Sequence, residues 1–182
     1  SSCRSNHAGR SIHSTRLVTG LIEPVSRVDS PALGIGITPG VVNVGARRVW
    51  SDLGIDGTGA LVANLDTGVD GTHPALSSRW RGNFAPYDEC WLDVLGNGSV
   101  TPEDDHGHGT NVGSIAAAAS DNGTGIVGSC WNCTILPLKV LDSNNSGLYS
   151  WWADAIVYAT DNGADVINLS AGGVSNSGVL RS

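Results

Sequence analysis

The stretch DDHGHGTNVGSIAAAAS, residues 104–120, decides the fold of this chain. From His108 onward it is rich in glycine, alanine and serine, which is typical of a helix that packs closely against a sheet. The stretch therefore predicts a helix over His108–Ser120 with an imidazole at its N-terminus. On their own, His106 and His108 beside aspartates also allow a zinc site or a solvated loop.

A second stretch, LDTGVDGTHPAL at residues 65–76, places an acidic residue where a strand ends. The short apolar run Ala60–Leu65 predicts a buried strand with a sharp exit turn at residues 66–68. Asp66 is either a turn residue or a functional carboxylate, and Asp-Thr-Gly also opens aspartic protease sites. The aspartic protease alternative requires an all-β fold, and such a fold does not contain a small-residue helix like the one predicted to begin at His108.

The rest of the chain alternates strand and helix signals. Apolar runs at Thr134–Leu141 and Asp165–Ser170 predict two further strands. Leu148–Asn162 has helical periodicity and is followed by Gly163, a residue that commonly stops helices. Alternating strands and helices predict an α/β fold with a parallel sheet flanked by helices. Functional groups collect at the carboxyl ends of such strands.

Together, the two quoted stretches resemble the subtilase family of serine proteases, in which an aspartate at a strand end precedes histidine-glycine-threonine at a helix start. Three further segments are similar to that family: residues 42–83, 123–142 and 165–173. The resemblance implies a subtilisin-like serine endopeptidase that hydrolyses proteins or peptides. Residues 1–40 lie outside it and are interpreted as a linker or pro-segment remnant. Residues 41–182 are interpreted as the N-terminal part of the peptidase domain.

The resemblance assigns catalytic roles to two residues, with Asp66 as the orienting carboxylate and His108 as the general base. An ionised Asp66 would hold one ring N–H of His108, and the other ring nitrogen would take the proton of an attacking serine. Ser170, Ala171 and Gly172 match the family's cleft strand. The free edge of that strand would pair with an extended substrate.

The serine of the triad is not identified in the chain. The family's oxyanion-hole asparagine and its glycine-threonine-serine segment lie further on, and neither string occurs before Ser182. The resemblance thus implies a domain truncated before the nucleophile segment. Two other hypotheses stay open: a degenerate subtilase fold that acts as a non-catalytic binding module, and an aspartic protease that uses Asp66.

Composition argues against several other classes of protein. With 40% hydrophobic and 15% charged residues, the sequence is globular rather than disordered. A net charge of −7 argues against nucleic acid as a partner, and no apolar run approaches the ~20 residues of a membrane span. The chain has no methionine and no visible signal peptide. A secreted or extracytoplasmic location is implied by the family resemblance alone, and we expect a monomer when the chain is complete.

Neither a cofactor nor a metal site is assigned from the sequence. The four cysteines are Cys3, Cys90, Cys130 and Cys133. Four cysteines allow three full pairings, and Cys130-x-x-Cys133 before a strand favours a local disulfide or unpaired packing cysteines over a redox or zinc site. Many subtilases carry structural calcium, and the carboxylates considered for it are Asp70, Asp104, Asp105 and Asp142. No dense acidic loop supplies the six to eight oxygens that calcium takes.

We predict that the 182-residue chain by itself has no significant protease activity. Loss of the serine lowers turnover on the order of a million-fold in a triad enzyme, because water positioned by His108 is a poor nucleophile. The check is to express residues 1–182 beside the full reading frame and to measure casein cleavage. Cleavage by the short chain that a serine-directed covalent inhibitor blocks would contradict the prediction.

Overall fold

The computed structural model describes residues 16–19, 37–120, 122–123, 125–173 and 177–181. Within them, the strands are β1 (Arg16–Thr19), β2 (Leu61–Asp66), β3 (Leu92–Asp93), β4 (Thr134–Lys139) and β5 (Val166–Leu169). The α-helices of the same residues are α1 (Pro39–Asn43), α2 (Ala46–Leu53), α3 (His108–Ala117) and α4 (Tyr149–Asp161). Short 3₁₀ turns lie at Arg81–Asn83 and Tyr87–Glu89.

The strands form one sheet in the order β1-β5-β2-β4-β3, and every described pair of neighbours is parallel. This sheet with its flanking helices confirms the predicted α/β fold. Strand β2 lies in the middle, where Asp66 is opposite Lys139 of β4 and Leu65 is opposite Leu169 of β5. The carboxyl end of β2 therefore lies between the ends of two other strands.

Strand β1 was not predicted, although it overlaps the one apolar stretch of residues 1–40, at residues 17–25. It pairs with β5 at the edge of the sheet. It falls within residues 1–40, so part of the region interpreted as a linker or pro-segment remnant joins the sheet, while most of that region is outside the described residues. Helix α1 begins at Pro39, and the domain division near residue 40 remains a prediction.

Helices α3 and α4 cover opposite faces of the sheet. The faces can be told apart because successive side chains along a strand point to opposite sides. Leu65 of β2 and Ala155 of α4 belong to one buried apolar cluster. Val62 of β2 and Ala117 of α3 belong to another. Strands that are buried on both faces have nearly continuous apolar sequences, which is why the run Ala60–Leu65 predicted β2.

Helix α3 packs directly against the end of β2 because its first turn contains a glycine. A Cβ atom on Gly109 would overlap the carbonyl oxygen of Gly68 and would lie 3.0 Å from the Cβ of Asp66. Gly68 has a φ of +111°, in the region that favours glycine, and leads the chain sharply out of the strand. The close approach brings His108, the first residue of α3, against Asp66.

Of the three cysteines among the described residues, two form a disulfide and one is a free thiol. Cys130 and Cys133 form the disulfide in the loop before β4, which is one of the two arrangements expected from the sequence. Cys90 is buried and free, and Cys3 lies outside the described residues. Among the helices that the structure describes, none combines the length and apolar character needed to cross a membrane.

Candidate active site

Asp66 and His108 form a hydrogen-bonded pair at the carboxyl edge of the sheet. The Nδ1 atom of His108 lies 2.7 Å from Oδ1 of Asp66, so the predicted contact is present, and His106 does not take its place. The Asp66 side chain is fully buried, whereas that of His108 is 30% exposed. An ionised Asp66 can only accept, so in that state His108 donates from Nδ1 and its Nε2 is the ring nitrogen that can take up a proton.

The carboxyl group of Asp66 has an asymmetric environment. Its Oδ1 also accepts a hydrogen bond from the backbone N–H of Thr67 at 2.7 Å. Its Oδ2 is buried and has no hydrogen-bond partner among the described residues. Burial raises the pKa of Asp66 above its ordinary value, and the hydrogen bonds from His108 and Thr67 oppose that rise. Burial therefore disfavours the ionised form of Asp66, and the contacts with His108 and Thr67 hold the carboxyl group in place.

Asp104 fixes the start of helix α3. Its Oδ2 accepts the backbone N–H and the hydroxyl of Thr110 at 2.7 and 2.6 Å, and its Oδ1 accepts the N–H of Gly107 at 2.8 Å. Its Oδ1 also accepts the hydroxyl of Thr67 at 2.8 Å. Burial alone would raise the pKa of Asp104, but these hydrogen bonds hold it below its ordinary value. Its negative charge complements the helix N-terminus beside His108.

Lys139 is a fully buried cation next to this pair, and the sequence analysis did not place it in the site. Its Nζ donates to the carbonyl of Thr67 at 2.6 Å, to Oδ1 of Asp105 at 2.6 Å and to the carbonyl of Leu141 at 3.2 Å. It thereby joins the turns after β2 and β4 to the loop before α3. A lysine within an apolar strand was the available signal, because lysine is almost never fully buried unless paired.

The residues predicted to bind substrate directly follow strand β5. Because Leu169 is opposite Leu65, Ser170 lies level with Asp66 at the same edge of the sheet. Ser170 and Ala171 are half-buried and Gly172 is exposed. The structure thus brings the segment to the edge that carries Asp66 and His108, and its role in substrate binding stays a prediction.

The carboxylates considered for calcium have protein partners instead. Those residues are Asp70, Asp104, Asp105 and Asp142, and each accepts a hydrogen bond from a nearby group. In the part of the chain that the structure describes, no three His, Cys, Asp or Glu side chains are grouped so as to hold a metal ion. We assign no metal site there.

The chain is similar in sequence to a known protein family and to several known proteins. The family model described as the subtilase family matches residues 57–181. Thermitase of Thermoactinomyces vulgaris is 41% identical over 143 residues, which are 78% of this chain and 47% of thermitase. A thermophilic serine proteinase of Bacillus sp. (strain AK1) is 42% identical over 132 residues, 70% of this chain and 31% of that protein.

A third relative is an intracellular serine protease of Paenibacillus polymyxa. It is 39% identical over 140 residues, 75% of this chain and 40% of that protein. The chain thus spans less than half the length of each of these three relatives. The hypothesis of an aspartic protease at Asp66 is wrong, because that enzyme class needs an all-β fold and the sheet here is parallel with helices on both faces.

We predict that Asp66→Asn stabilises the fold at neutral pH. A raised pKa means that folding favours the protonated acid, so the stability contribution of Asp66 is full below its ordinary pKa of 3.8 and is lost as pH rises through the raised value. Asparagine carries no charge to bury. Urea unfolding should therefore show a gain in free energy of unfolding that is larger at about pH 7 than at about pH 4. A loss of stability at neutral pH would contradict this account.

We predict that Lys139→Met lowers the free energy of unfolding by about 3 kcal/mol, because it leaves two buried carbonyl groups without a donor. The control Asp105→Asn removes the charge of a partner that is 45% exposed but keeps an acceptor oxygen, and should cost about 1 kcal/mol or less. Denaturation midpoints and slopes of both variants give the comparison. A Lys139→Met protein within about 1 kcal/mol of the parent would show that the lysine does not hold the turns together.

Proposed function

Because this chain belongs to the subtilase family, we propose that the protein containing it is a serine endopeptidase in which Asp66 and His108 are two of the three catalytic residues. The observation that carries the proposal is the 2.7 Å contact between Nδ1 of His108 and Oδ1 of Asp66. Two of the relatives quoted above are named as serine proteases or proteinases, which supports the same class of reaction.

The proposed chemistry starts at Nε2 of His108. This nitrogen takes the proton of a serine hydroxyl as the serine oxygen attacks the peptide carbonyl, and the imidazolium returns the proton to the leaving amine. Water then repeats the sequence on the acyl-enzyme. Asp66 holds the imidazole in the tautomer that leaves Nε2 free and stabilises the imidazolium. The reaction needs no cofactor, because side chains supply both the nucleophile and the proton carrier.

The serine and the oxyanion donor belong, in this proposal, to sequence outside these 182 residues. The lengths of the relatives are consistent with that placement, since the chain spans less than half of each of the three. The side chain of His108 is 30% exposed, so a serine from another part of the protein could reach its imidazole.

The proposed substrate is an extended segment of a protein or peptide that lies along Ser170, Ala171 and Gly172. Backbone pairing along such an edge provides affinity, and neighbouring side chains provide selectivity. Among the described residues, a Cβ atom on Gly172 would meet no heavy atom within 4 Å, so they leave open space beside this backbone. We propose no nucleic-acid or membrane partner, and a monomeric enzyme.

We also propose a location outside the cytoplasm. The Cys130–Cys133 disulfide supports it, because disulfides persist mainly in oxidising compartments. Membership of the family does not decide the question alone, since one relative is named as an intracellular protease. Structural calcium is not part of the proposal.

The test compares His108→Ala with His106→Ala in the complete protein. His106 is exposed, and its ring centroid lies 6.2 Å from that of His108, so it is a matched control for losing an imidazole from this loop. We expect His108→Ala to lower kcat for casein or peptide hydrolysis by at least about 10⁴-fold, and His106→Ala to keep kcat within about tenfold of the parent.

Labelling of the parent by a serine-directed phosphonate separates the remaining outcomes. Labelling and cleavage that depend on His108 support the proposal. A folded parent that binds peptides but is neither labelled nor active would favour the binding-module hypothesis. Full activity of the His108→Ala protein would refute the assignment of the base.

A further inference from the structure

Strand β2 contains an asparagine that the proposed mechanism does not use. Asn64 is fully buried, two residues before Asp66, and every other residue that precedes Asp66 in the strand is apolar. A primary amide buried in a core has two donor hydrogens and an acceptor oxygen to satisfy, and leaving them unpaired is costly. An apolar side chain of similar size would fill the same space without that requirement.

The amide of Asn64 connects two other elements of the fold. Its Nδ2 donates to the backbone carbonyl of Gly109 in α3 at 3.1 Å. Its Oδ1 accepts from Nδ2 of Asn168 in β5 at 2.9 Å. Nδ2 of Asn168 also lies 3.1 Å from Oγ of Ser170, whose hydroxyl donates to Oδ1 of Asn168 at 3.3 Å.

The direction of this chain of hydrogen bonds is fixed by its first member. The carbonyl of Gly109 can only accept, so Asn64 must turn its Nδ2 toward the helix and its Oδ1 toward β5. Asn168 must then present its own Nδ2 to Asn64. Exchanging the oxygen and nitrogen of Asn64 would place two acceptors against each other and two donors against each other.

The elements joined in this way are the ones that the proposed reaction must align. Gly109 directly follows His108 in α3, and Ser170 begins the segment proposed to bind substrate. Asn64 itself belongs to the strand that carries Asp66. Apolar packing alone would tolerate a small slide of α3 along the sheet, whereas a hydrogen bond has a narrow range of length and angle.

We propose that Asn64 is a positioning residue, whose amide fixes the start of the His108 helix relative to the segment Ser170–Gly172. The expected effect of Asn64 on catalysis rests on the proposed function. Its expected effect on the positions of the two segments rests on the geometry alone. Asn64 does not touch the reacting atoms, and it acts through the backbone of Gly109 and the side chain of Asn168.

The test replaces Asn64 with valine, which removes both hydrogen bonds and suits a buried strand. Asn64→Ser is the milder variant, because it cannot overfill the site if Asn64→Val fails to fold. Ile135→Val is the matched control, since Ile135 is a fully buried residue on the α3 face of the sheet and the change removes one carbon without touching a hydrogen bond. All are made in the complete protein.

The first readout is amide hydrogen exchange, which does not depend on activity. The proposal predicts that Asn64→Val and Asn64→Ser speed exchange by about tenfold or more in both residues 108–113 and residues 166–173, and that Ile135→Val does so in neither. Unchanged protection of either segment in the asparagine variants, or the same change in the control, would overturn the proposal.

The second readout is kcat and KM on a peptide substrate at a temperature where all the variants are folded. We expect kcat/KM to fall about tenfold in the asparagine variants and to change less than twofold in Ile135→Val. A fall no larger than that of the control would overturn the catalytic part of the proposal. If the parent itself neither cleaves peptide nor reacts with a serine-directed phosphonate, the proposed function fails, and hydrogen exchange still decides whether Asn64 couples the two segments.

Discussion

A buried carboxylate beside an imidazole is the constraint on which the rest of this structure depends. Asp66 lies at the end of the central strand, where its side chain has no exposure, and it stays there only with donors directed at it. His108 can supply one at 2.7 Å only if α3 comes almost into backbone contact with β2. That approach requires Gly109, because any Cβ there would overlap the carbonyl oxygen of Gly68.

Thr67 is the junction between this pair and the groups around it. Its N–H donates to Asp66, and its carbonyl accepts from Lys139. Its hydroxyl donates to Asp104 and accepts the N–H of Gly109. One residue therefore links the strand end, the helix start and a buried cation. Since hydrogen bonds restrict direction as well as distance, this network holds the imidazole more narrowly than apolar packing would.

The strand that ends at Asp66, the helix that begins at His108 and the pairing of these two residues could be predicted from sequence, because short local patterns indicate them. The apolar run ending at Asp66 and the small-residue stretch after His108 each indicate an element and its chemistry. Lys139 and Asn64 were missed because each lies in a run that was recognised by its apolar residues. Most of their partners are distant in sequence, so only the folded chain shows that their polar groups are satisfied. Strand β1 was missed because its apolar residues lie in a region where serine, glycine, proline and arginine are scattered and no alternation of strand and helix signals surrounds them.

The central claim of the proposed function is that Nε2 of His108 lies beside bound substrate and takes the proton of the attacking serine. A peptidyl chloromethyl ketone tests it directly, because a bound peptide carries the alkylating group to whichever nucleophile lies at the reaction centre. The complete protein is used, and peptide mapping by mass spectrometry after its inactivation locates the new bond. We predict one alkylated imidazole, that of His108, formed in step with the loss of activity. Alkylation of His106 or His73 in step with that loss, or inactivation that leaves His108 unmodified, would contradict the account.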